Sequence, residues 1–158
     1  MPVDKDTFRA TLGRFASGIT IVTAVDADGR DHGMTVSAFT SLSLEPPLVL
    51  TCIARNASVF AALTAATHIG INILAADQEP LSRRFASRDG DRFDGVGYVR
   101  GDTGVALLAD ALANLECRVL ERHDGGDHVI LVAQVEHAQV REGQPILYYR
   151  GGYASLAR

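Results

Sequence analysis

Five hydroxyl side chains crowd one short stretch of this sequence, between Thr35 and Ser43. The stretch otherwise has the pattern of a buried strand, and it stops at the double proline Pro46-Pro47 before a second apolar run. Such a polar bend between apolar runs suits a slot for a flat, partly polar ligand, whose edge would meet backbone N–H groups and short hydroxyls. A Ser/Thr-rich edge strand and turn would have the same composition, so these residues alone leave both interpretations open.

A second candidate site begins at Arg55, in the sequence Arg55-Asn56-Ala57-Ser58. Asn56 or Ser58 can cap a short helix, because a side-chain oxygen at that position accepts a hydrogen bond from a free backbone N–H. Such a helix start, with a hydroxyl and the charge of Arg55 beside it, has the donors that bind a phosphate. The alternative is an ordinary N-cap next to a solvated arginine.

Other familiar catalytic arrangements are absent from the sequence. It has no G-x-S-x-G, no G-x-G-x-x-G after a strand and no P-loop. Cys52 and Cys117 lie far apart in strand-like runs, so we expect free, reduced thiols. We expect no metal site either, because no metal-ligand spacing links the five histidines, which are His32, His68, His123, His128 and His137.

Length and composition indicate one soluble domain spanning residues 1–158. The chain is 47% hydrophobic and 22% charged, as in ordinary globular proteins. Its net charge of -4 provides no basic field for a nucleic-acid backbone, so we expect no nucleic-acid partner. The charged N-terminus leads into no apolar signal segment, and no window reaches transmembrane length. We therefore expect no membrane association and a cytoplasmic location.

Three short helices are predicted between the strands. Phe8, Leu12 and Phe15 recur at i, i+4 and i+7, which predicts an amphipathic helix over 4–15 that covers the body of the protein. A second helix is predicted to start near Ser58, and a third spans 77–86. The segment 87–104 is rich in Gly, Asp and Arg, which predicts a long surface loop.

Strands connected as hairpins dominate the rest of the chain. Asp28-Gly29 predicts a tight turn that leads from the first strand into the hydroxyl-rich stretch, and 123–127 is the predicted turn of a later hairpin. The other predicted strands cover 17–25, 48–54, 68–74, 112–122, 128–135 and 146–149. This order favours a mainly β, antiparallel barrel over a doubly wound sheet.

Taken together, several ordered motifs over residues 8–156 resemble the flavin reductase-like family. They are Gly33-x-Thr35-x-Ser37-Ala38-Phe39-x-Ser41-x-Ser43-x-x-Pro46-Pro47, Ser58, Asn72, Phe85-Ala86, Gly126-Asp127-His128 and Pro145-Ile146-Leu147-Tyr148-Tyr149-Arg150-Gly151-Gly152-Tyr153. Members of this family are NAD(P)H:flavin reductase components of two-component flavin-dependent monooxygenases. The resemblance implies an antiparallel split β-barrel of the FMN-binding type for this chain.

The resemblance also implies that a flavin occupies the slot and the phosphate site. The residues that would line the isoalloxazine and ribityl edge are Thr35, Val36, Ser37, Ala38, Ser41, Leu42 and Ser43. Those that would hold the ribityl chain and the phosphate are Cys52, Ala54, Arg55 and Ser58. Phe85, at the end of the third helix, would close one side of the flavin.

The implied nicotinamide side lies at the turn before residue 128. There His128 is the implied catalytic residue, which meets the nicotinamide or its carboxamide. The same side would be completed by Tyr149, Arg150, Gly151 and Tyr153. Hydride passes directly between the two cofactors, so no catalytic triad is needed. The alternative for His128 is a turn histidine hydrogen-bonded to Asp127.

The implied activity is reduction of FMN or FAD by NADH or NADPH, with release of reduced flavin to a partner monooxygenase. The resemblance also implies a homodimer, since split-barrel flavin sites lie near a subunit interface. Two alternatives remain open. One is a flavin-binding module without turnover, and the other is an FMN-dependent oxidase or reductase of another small substrate on the same barrel.

Overall fold

The computed structural model describes residues 1–88 and 90–157. That part of the chain contains twelve strands, three α-helices and one 3-10 helix, so the predicted mainly β class and the three short helices are confirmed. In chain order the elements are α1 (Lys5–Leu12), β1 (Ser17–Gly18), β2 (Thr20–Val25), β3 (Asp31–Val36), β4 (Phe39–Ser43), β5 (Leu48–Ala54), α2 (Phe60–Ala65), β6 (His68–Ile73), the 3-10 helix Ala76–Gln78, α3 (Glu79–Ala86), β7 (Tyr98–Arg100), β8 (Ala106–Leu108), β9 (Ala113–Gly125), β10 (His128–Val140), β11 (Ile146–Tyr149) and β12 (Gly152–Ser155). Among the described residues, no helix has the length and apolar character needed to cross a membrane.

Seven strands form one antiparallel sheet in the order β3-β2-β6-β9-β10-β5-β4. The strands β3 and β4 lie at opposite edges of that order, yet only Ser37 and Ala38 separate them in the chain. The sheet must therefore curl until its edges meet, which closes the predicted antiparallel barrel. We call the junction, residues 35–43, the barrel seam. The hydroxyl-rich stretch is this seam, and it comprises parts of two strands where the sequence indicated one.

Two apolar clusters hold the fold together. The first fills the barrel and includes the fully buried Val22, Ile53 and Leu131. The second lies on the other side of β2, where Ile21 packs with Phe85 under α3. Consecutive strand residues face opposite sides of a sheet, so β2 contributes to both clusters. Full burial of one such side chain stabilises the fold by about 1.5–3 kcal/mol.

A buried asparagine links four strands at the centre of the sheet. Asn72 on β6 is fully buried, and its Nδ2 donates to the carbonyl oxygen of Ile21 at 3.0 Å. Its Oδ1 accepts from Leu108 N at 2.9 Å and from Asn114 Nδ2 at 2.7 Å. Both the oxygen and the nitrogen of the amide thus have partners inside the protein, which explains a polar residue in an otherwise apolar strand.

The helix α1 does not cover the body as predicted. Asp4 caps it, since its side chain accepts from Thr7 N at 2.7 Å. None of its residues is buried, and Phe8 and Leu12 are 55% and 53% exposed, while Phe15 beyond its end is 81% exposed. The predicted packing was wrong because periodicity identifies an apolar face and does not identify what covers that face.

The segment 87–104 is not the simple surface loop that its composition predicted. Phe93 belongs to the second core cluster and is only 9% exposed. The strand β7 pairs with β8, which the sequence analysis missed, and Tyr98 lies opposite Leu108. Single aromatic residues among polar neighbours have no periodicity, so their burial left no signal in the sequence.

Two strand boundaries also differ from the prediction. The first predicted strand is divided at Ile19, because β1 pairs with β11 whereas β2 pairs with β3 and β6. The hairpin of β9 and β10 has a turn of only Gly126 and Asp127, in which Gly126 has a φ of 67°. Glycine adopts this left-handed conformation without strain, so β9 continues to Gly125, beyond its predicted end. The strand β10 begins at His128 as predicted and continues to Val140.

Candidate functional site

Three of the predicted site residues share the outer face of the barrel. Val49, Thr51 and Ile53 of β5 are buried, so the alternation of a strand turns Cys52 and Ala54 outward. His128 lies directly opposite Ala54 in the β5–β10 register. Opposed residues of an antiparallel pair project to the same face, so Cys52, Ala54 and His128 line one surface.

The barrel seam adjoins this surface. Cys52 N donates to the carbonyl oxygen of Ala38 at 3.0 Å, and both Ser37 and Ala38 are exposed. Val36 is 4% exposed and points into the barrel, so only its backbone can meet a ligand. The carbonyl oxygens of Ser37 and Ala38 thus accept from Phe39 N and Cys52 N, so it is the backbone N–H groups of the seam that could meet a ligand beside Cys52.

The register of β4 divides the seam hydroxyls between two faces. Thr40 pairs with Leu50, and Ser43 with Leu48, which places both on the face of Cys52. Ser41 pairs with the buried Val49 and so projects to the opposite side. Leu42 lies at the register shift between Ser41 and Ser43 and is 49% exposed. Thr40, which the sequence analysis did not select, is thus better placed than Ser41 to face the outer surface.

His128 makes the contact with Asp127 that the alternative interpretation expected. Its Nδ1 lies 2.7 Å from Asp127 Oδ1, and this hydrogen bond is the main cause that lowers the pKa of Asp127. The Asp127 carboxylate fixes the orientation of the His128 ring and favours the tautomer that carries its hydrogen on Nδ1. The other ring nitrogen, Nε2, then lies on the side of the ring away from Asp127. The contact orients the imidazole and is compatible with a role toward a ligand.

Arg55 binds the turn between β9 and β10. Its Nη2 lies 2.5 Å from Asp124 Oδ1, and its Nε donates to the carbonyl oxygen of Gly126 at 3.0 Å. These contacts hold the turn that carries His128. The predicted interaction of Arg55 with a phosphate stays a prediction, and its guanidinium contacts count against it.

Ser58 does not cap α2 as the sequence predicted. The N-cap is Val59, which makes no side-chain capping bond, and the helix begins at Phe60. The hydroxyl of Ser58 instead accepts from Arg92 Nη2 at 3.3 Å. Ser58 therefore faces a cation from another part of the chain.

Two arginines form a cationic cleft around Ser58, which we define as Ser58, Arg88 and Arg92. Arg92 Nη1 donates to the carbonyl oxygen of Gly33 at 2.6 Å, and Arg88 Nη2 donates to that of Asn56 at 3.1 Å. These residues line a cavity of about 160 Å³ together with the acidic residues Asp31 and Asp91. Burial, and next the charge of Arg88, lower the pKa of Arg92, so an anion bound here would relieve repulsion between the two guanidinium groups.

The sequence analysis missed both arginines of the cleft. They lie in the segment 87–104, which was assigned to the surface because of its composition. A signal was available, since four arginines, at 83, 84, 88 and 92, follow one another within ten residues. Only the fold shows that two of them turn toward Ser58.

The C-terminal hairpin lies against α3 behind the seam. The hydroxyls of Tyr153 and Ser82 are 2.8 Å apart, and Thr35 Oγ1 donates to the carbonyl oxygen of Ser82 at 2.6 Å. The guanidinium of Arg83 lies 4.7 Å above the ring of Tyr153. The hydroxyl of Thr35 is therefore used within the protein, and Tyr153 is tied to the seam through Ser82.

Three other predicted residues lie at the tight turn of this hairpin. Arg150 and Gly151 form the turn, with φ values of 52° and 76°. The backbone N of Arg150 donates to the carbonyl oxygen of Gly13 at 2.9 Å, and Tyr149 is 41% exposed. The turn and the ring of Tyr149 are accessible, whereas Tyr153 contacts Ser82 and Arg83 of α3.

Phe85 cannot close one side of a ligand as predicted. It is fully buried and packs edge-on against Phe93, with ring centroids 5.0 Å apart. A Cβ at Gly33 would lie only 2.9 Å from its Cε1. Phe85 therefore supports β3 from behind, next to the carbonyl group that Arg92 binds.

The two cysteine thiols both have a raised pKa, which disfavours the nucleophilic thiolate form. Burial raises the pKa of the Cys52 thiol, and burial with the charges of Glu136 and Glu116 raises that of Cys117 to about 12. Both thiols are free and stay protonated at neutral pH.

One group of potential metal ligands lies outside this surface. Asp102, Glu116 and His137 bring ligand atoms within 4.8 Å of one another, although their spacing in the sequence gave no indication of it. Glu116 Oε1 accepts from both Thr103 N and Thr103 Oγ1, at 2.8 and 2.7 Å. We therefore interpret Glu116 as the group that holds the turn at Thr103.

Comparison with known proteins gives one consistent result. The model of the family described as "Flavin reductase like domain" matches residues 12–157. The chain is 43% identical over 152 residues to "FMN reductase (NADH) SmoA" of Agrobacterium fabrum, covering 96% of this chain and 86% of that protein. It is 46% identical to the reductase component of a 4-nitrophenol 4-monooxygenase/4-nitrocatechol 2-monooxygenase of Rhodococcus opacus, covering 96% and 81%.

Solved structures agree with these relatives. The NADH:FAD oxidoreductase SgcE6 of Streptomyces globisporus, in complex with NAD and FAD fragments, superposes with a TM-score of 0.92 at 36% identity, covering 98% of this chain and 93% of that one. Nitrilotriacetate monooxygenase component B from Mycobacterium thermoresistibile gives a TM-score of 0.93 at 37% identity, covering 98% and 87%.

Proposed function

This chain belongs to the flavin reductase-like domain family, and we propose that it transfers hydride from NADH to FMN or FAD and supplies the reduced flavin to a partner monooxygenase. Relatives that share more than 40% of its residues are named as an NADH-dependent FMN reductase and as a monooxygenase reductase component. The observation that carries the proposal is the single outer surface formed by the barrel seam, Cys52, Ala54 and His128.

The residues present fit a flavin. The backbone N–H groups of Ser37 and Ala38 in the seam would meet a polar ring edge, and the cationic cleft has two guanidinium groups and a hydroxyl for a phosphate. When bound, the flavin accepts hydride at N5 from C4 of the nicotinamide. The protein's part is to hold the rings together, to exclude water and to stabilise negative charge at the polar ring edge.

His128 acts as a positioning residue in this proposal. Asp127 holds its Nδ1, so Nε2 is the ring nitrogen that would meet a nicotinamide carboxamide. Hydride transfer needs no proton from this side chain. Tyr153, held by Ser82, and the exposed turn residues Arg150 and Gly151 would bound the nucleotide on the other side.

We further propose that the protein is a homodimer. Phe8, Leu12 and Phe15 expose one apolar side of the N-terminal segment, and Leu42 in the seam and Leu44 just after it are 49% and 90% exposed. Large apolar side chains grouped in this way are typical of an interface. A second copy would cover both regions and shield the flavin edge from water.

We also propose that the protein works in the cytoplasm. Its proposed reductant, NADH, is found there, and its two thiols are free, as is usual in a reducing compartment.

An anaerobic flavin-reduction assay tests the proposed activity. Purified protein mixed with NADH should bleach the absorbance of oxidised FMN or FAD, whereas NADPH, offered in parallel, should react more slowly. An inert mixture with riboflavin, FMN and FAD and with both nucleotides would overturn the proposal. Flavin that stays bound through gel filtration without nucleotide oxidation would identify a flavin-binding module instead.

A further inference from the structure

The cationic cleft opens into a second, larger cavity. This cavity has a volume of about 580 Å³ and shares His32, Ser58 and Val59 with the cleft. Its walls come from one side of α2 and from the β2–β3 hairpin. We call it the α2 groove and define it by Val25, Ala27, Ala61, Ala62 and Ala65.

The groove is large and mostly apolar. Its volume lies within the range of about 300–1,000 Å³ that is typical of small-molecule sites. Asp26 at its edge is already engaged, since Oδ2 lies 2.7 Å from His32 Nε2 and Oδ1 accepts from the backbone N of Asp28 and Arg30. The groove therefore presents small aliphatic side chains, a surface suited to a flat aromatic base.

The three parts of the surface follow one another along β3. The barrel seam begins at the C-terminal end of β3. The carbonyl oxygen of Gly33 accepts a hydrogen bond from Arg92 of the cationic cleft, and the preceding residue, His32, lines both the cleft and the α2 groove. A flavin dinucleotide has the same order of parts, with the isoalloxazine and ribityl chain, then the pyrophosphate, then the adenosine. A mononucleotide ends at its phosphate and would leave the groove empty.

We propose that FAD is the preferred flavin of this chain, with its pyrophosphate on Arg88 and Arg92 and its adenine in the α2 groove. This inference rests on the proposed function. FMN and FAD carry similar phosphate charge, so the two arginines attract both flavins. The α2 groove distinguishes FAD from FMN, because only FAD has an adenine to place there. Removal of the apolar faces of the base from water against these aliphatic side chains favours FAD by about tenfold in affinity.

Equilibrium binding of FAD and FMN, followed by flavin fluorescence without any nucleotide, tests the proposal. The wild type should bind FAD about tenfold more tightly than FMN. Ala65 is exposed and lines the groove, so Ala65→Trp should fill the groove and bring the two affinities to within about twofold. FMN binding serves as the reference for folding, and Ala61→Trp provides a second variant should Ala65→Trp not fold.

Ala138→Trp is the matched control for added bulk. Ala138 is exposed on β10 and lines neither cavity, so the FAD to FMN ratio should not change. Equal affinities in the wild type, or equal loss of FAD and FMN in Ala65→Trp, would overturn the proposal. A raised KM for NADH with FAD affinity unchanged would assign the groove to the adenylate of the nicotinamide nucleotide instead. Because binding is measured without turnover, failure of the reductase activity is detected separately.

Discussion

Arg92 donates from Nη1 to the carbonyl oxygen of Gly33 at 2.6 Å, although 59 residues separate the two in the chain. The same guanidinium reaches Ser58 Oγ at 3.3 Å. One side chain thus connects β3, the start of the α2 region and the segment after α3. Because these contacts use neutral acceptors, they fix the guanidinium in place without neutralising its charge.

Arg92→Ala should therefore weaken FMN binding and leave riboflavin binding nearly unchanged. A hydrogen bond to a charged group contributes about 1.5–3 kcal/mol, so the FMN dissociation constant should rise by about 10- to 150-fold. Fluorescence titration with both flavins measures this. The FMN dissociation constant of Arg92→Lys should lie between those of the wild type and Arg92→Ala. Arg118 is an exposed arginine on β9, so Arg118→Ala is the control and should not change FMN binding. Equal losses for FMN and riboflavin would show that Arg92 only supports the fold.

His128→Ala should affect the nicotinamide nucleotide more than the flavin. Loss of one hydrogen bond corresponds to about 0.5–1.5 kcal/mol, which predicts a KM for NADH that is higher by about two- to twelvefold. The flavin dissociation constant should change less. Steady-state kinetics and flavin titration give the two values. His123→Ala removes an exposed histidine near the same turn and should alter neither. Similar changes in both quantities would contradict the assignment.

Glu116→Gln should remove a pH-dependent contribution to stability. Burial acts to raise the pKa of Glu116, but hydrogen bonds from Thr103 outweigh it and the net pKa lies below the usual 4.5. The ionised form therefore stabilises the fold above about pH 4.5, and this stability is lost as pH falls through the lowered pKa.

Urea unfolding across this pH range measures the effect. Near neutral pH the wild type should exceed Glu116→Gln by about 1–3 kcal/mol, and the two should converge in acid. Glu142→Gln, at an exposed glutamate, controls for the loss of charge. If the free energies of unfolding of Glu116→Gln and the wild type differed by the same amount at every pH, the hydrogen bonds of the ionised Glu116 carboxylate would be excluded as the cause.

The parts of the site that sequence could predict are those with a local signature. Alternation along 48–54 and the hairpin before residue 128 were enough to place Cys52 and His128 on strands, and the register then brought them together. Arg88 and Arg92 could not be selected in this way, because their role depends on contacts with β3 and with Ser58, far away in the chain. Phe85 has the periodicity of a helix face, but periodicity alone does not distinguish a residue that lines a ligand from one that supports the strand behind it.

The periodicity of α1 likewise identifies an apolar side without identifying what covers it. If its apolar side is covered by a second copy, Leu12→Glu should place a charge in the interface and convert a dimer into a monomer. Light scattering after gel filtration measures the mass directly. Ala10→Glu adds the same charge to another side of the same helix, so it should remain dimeric.

Flavin affinity should fall together with the dimer. Leu42 and Leu44 are exposed beside the seam in a single chain, so a monomer would leave the flavin edge in water. Loss of about 1.4 kcal/mol of apolar contact is enough for a tenfold weaker affinity. A monomeric wild type, or a monomeric Leu12→Glu variant with full flavin affinity, would mean that each chain completes its flavin site alone. A dimer that persists in Leu12→Glu would mean that α1 lies outside the interface.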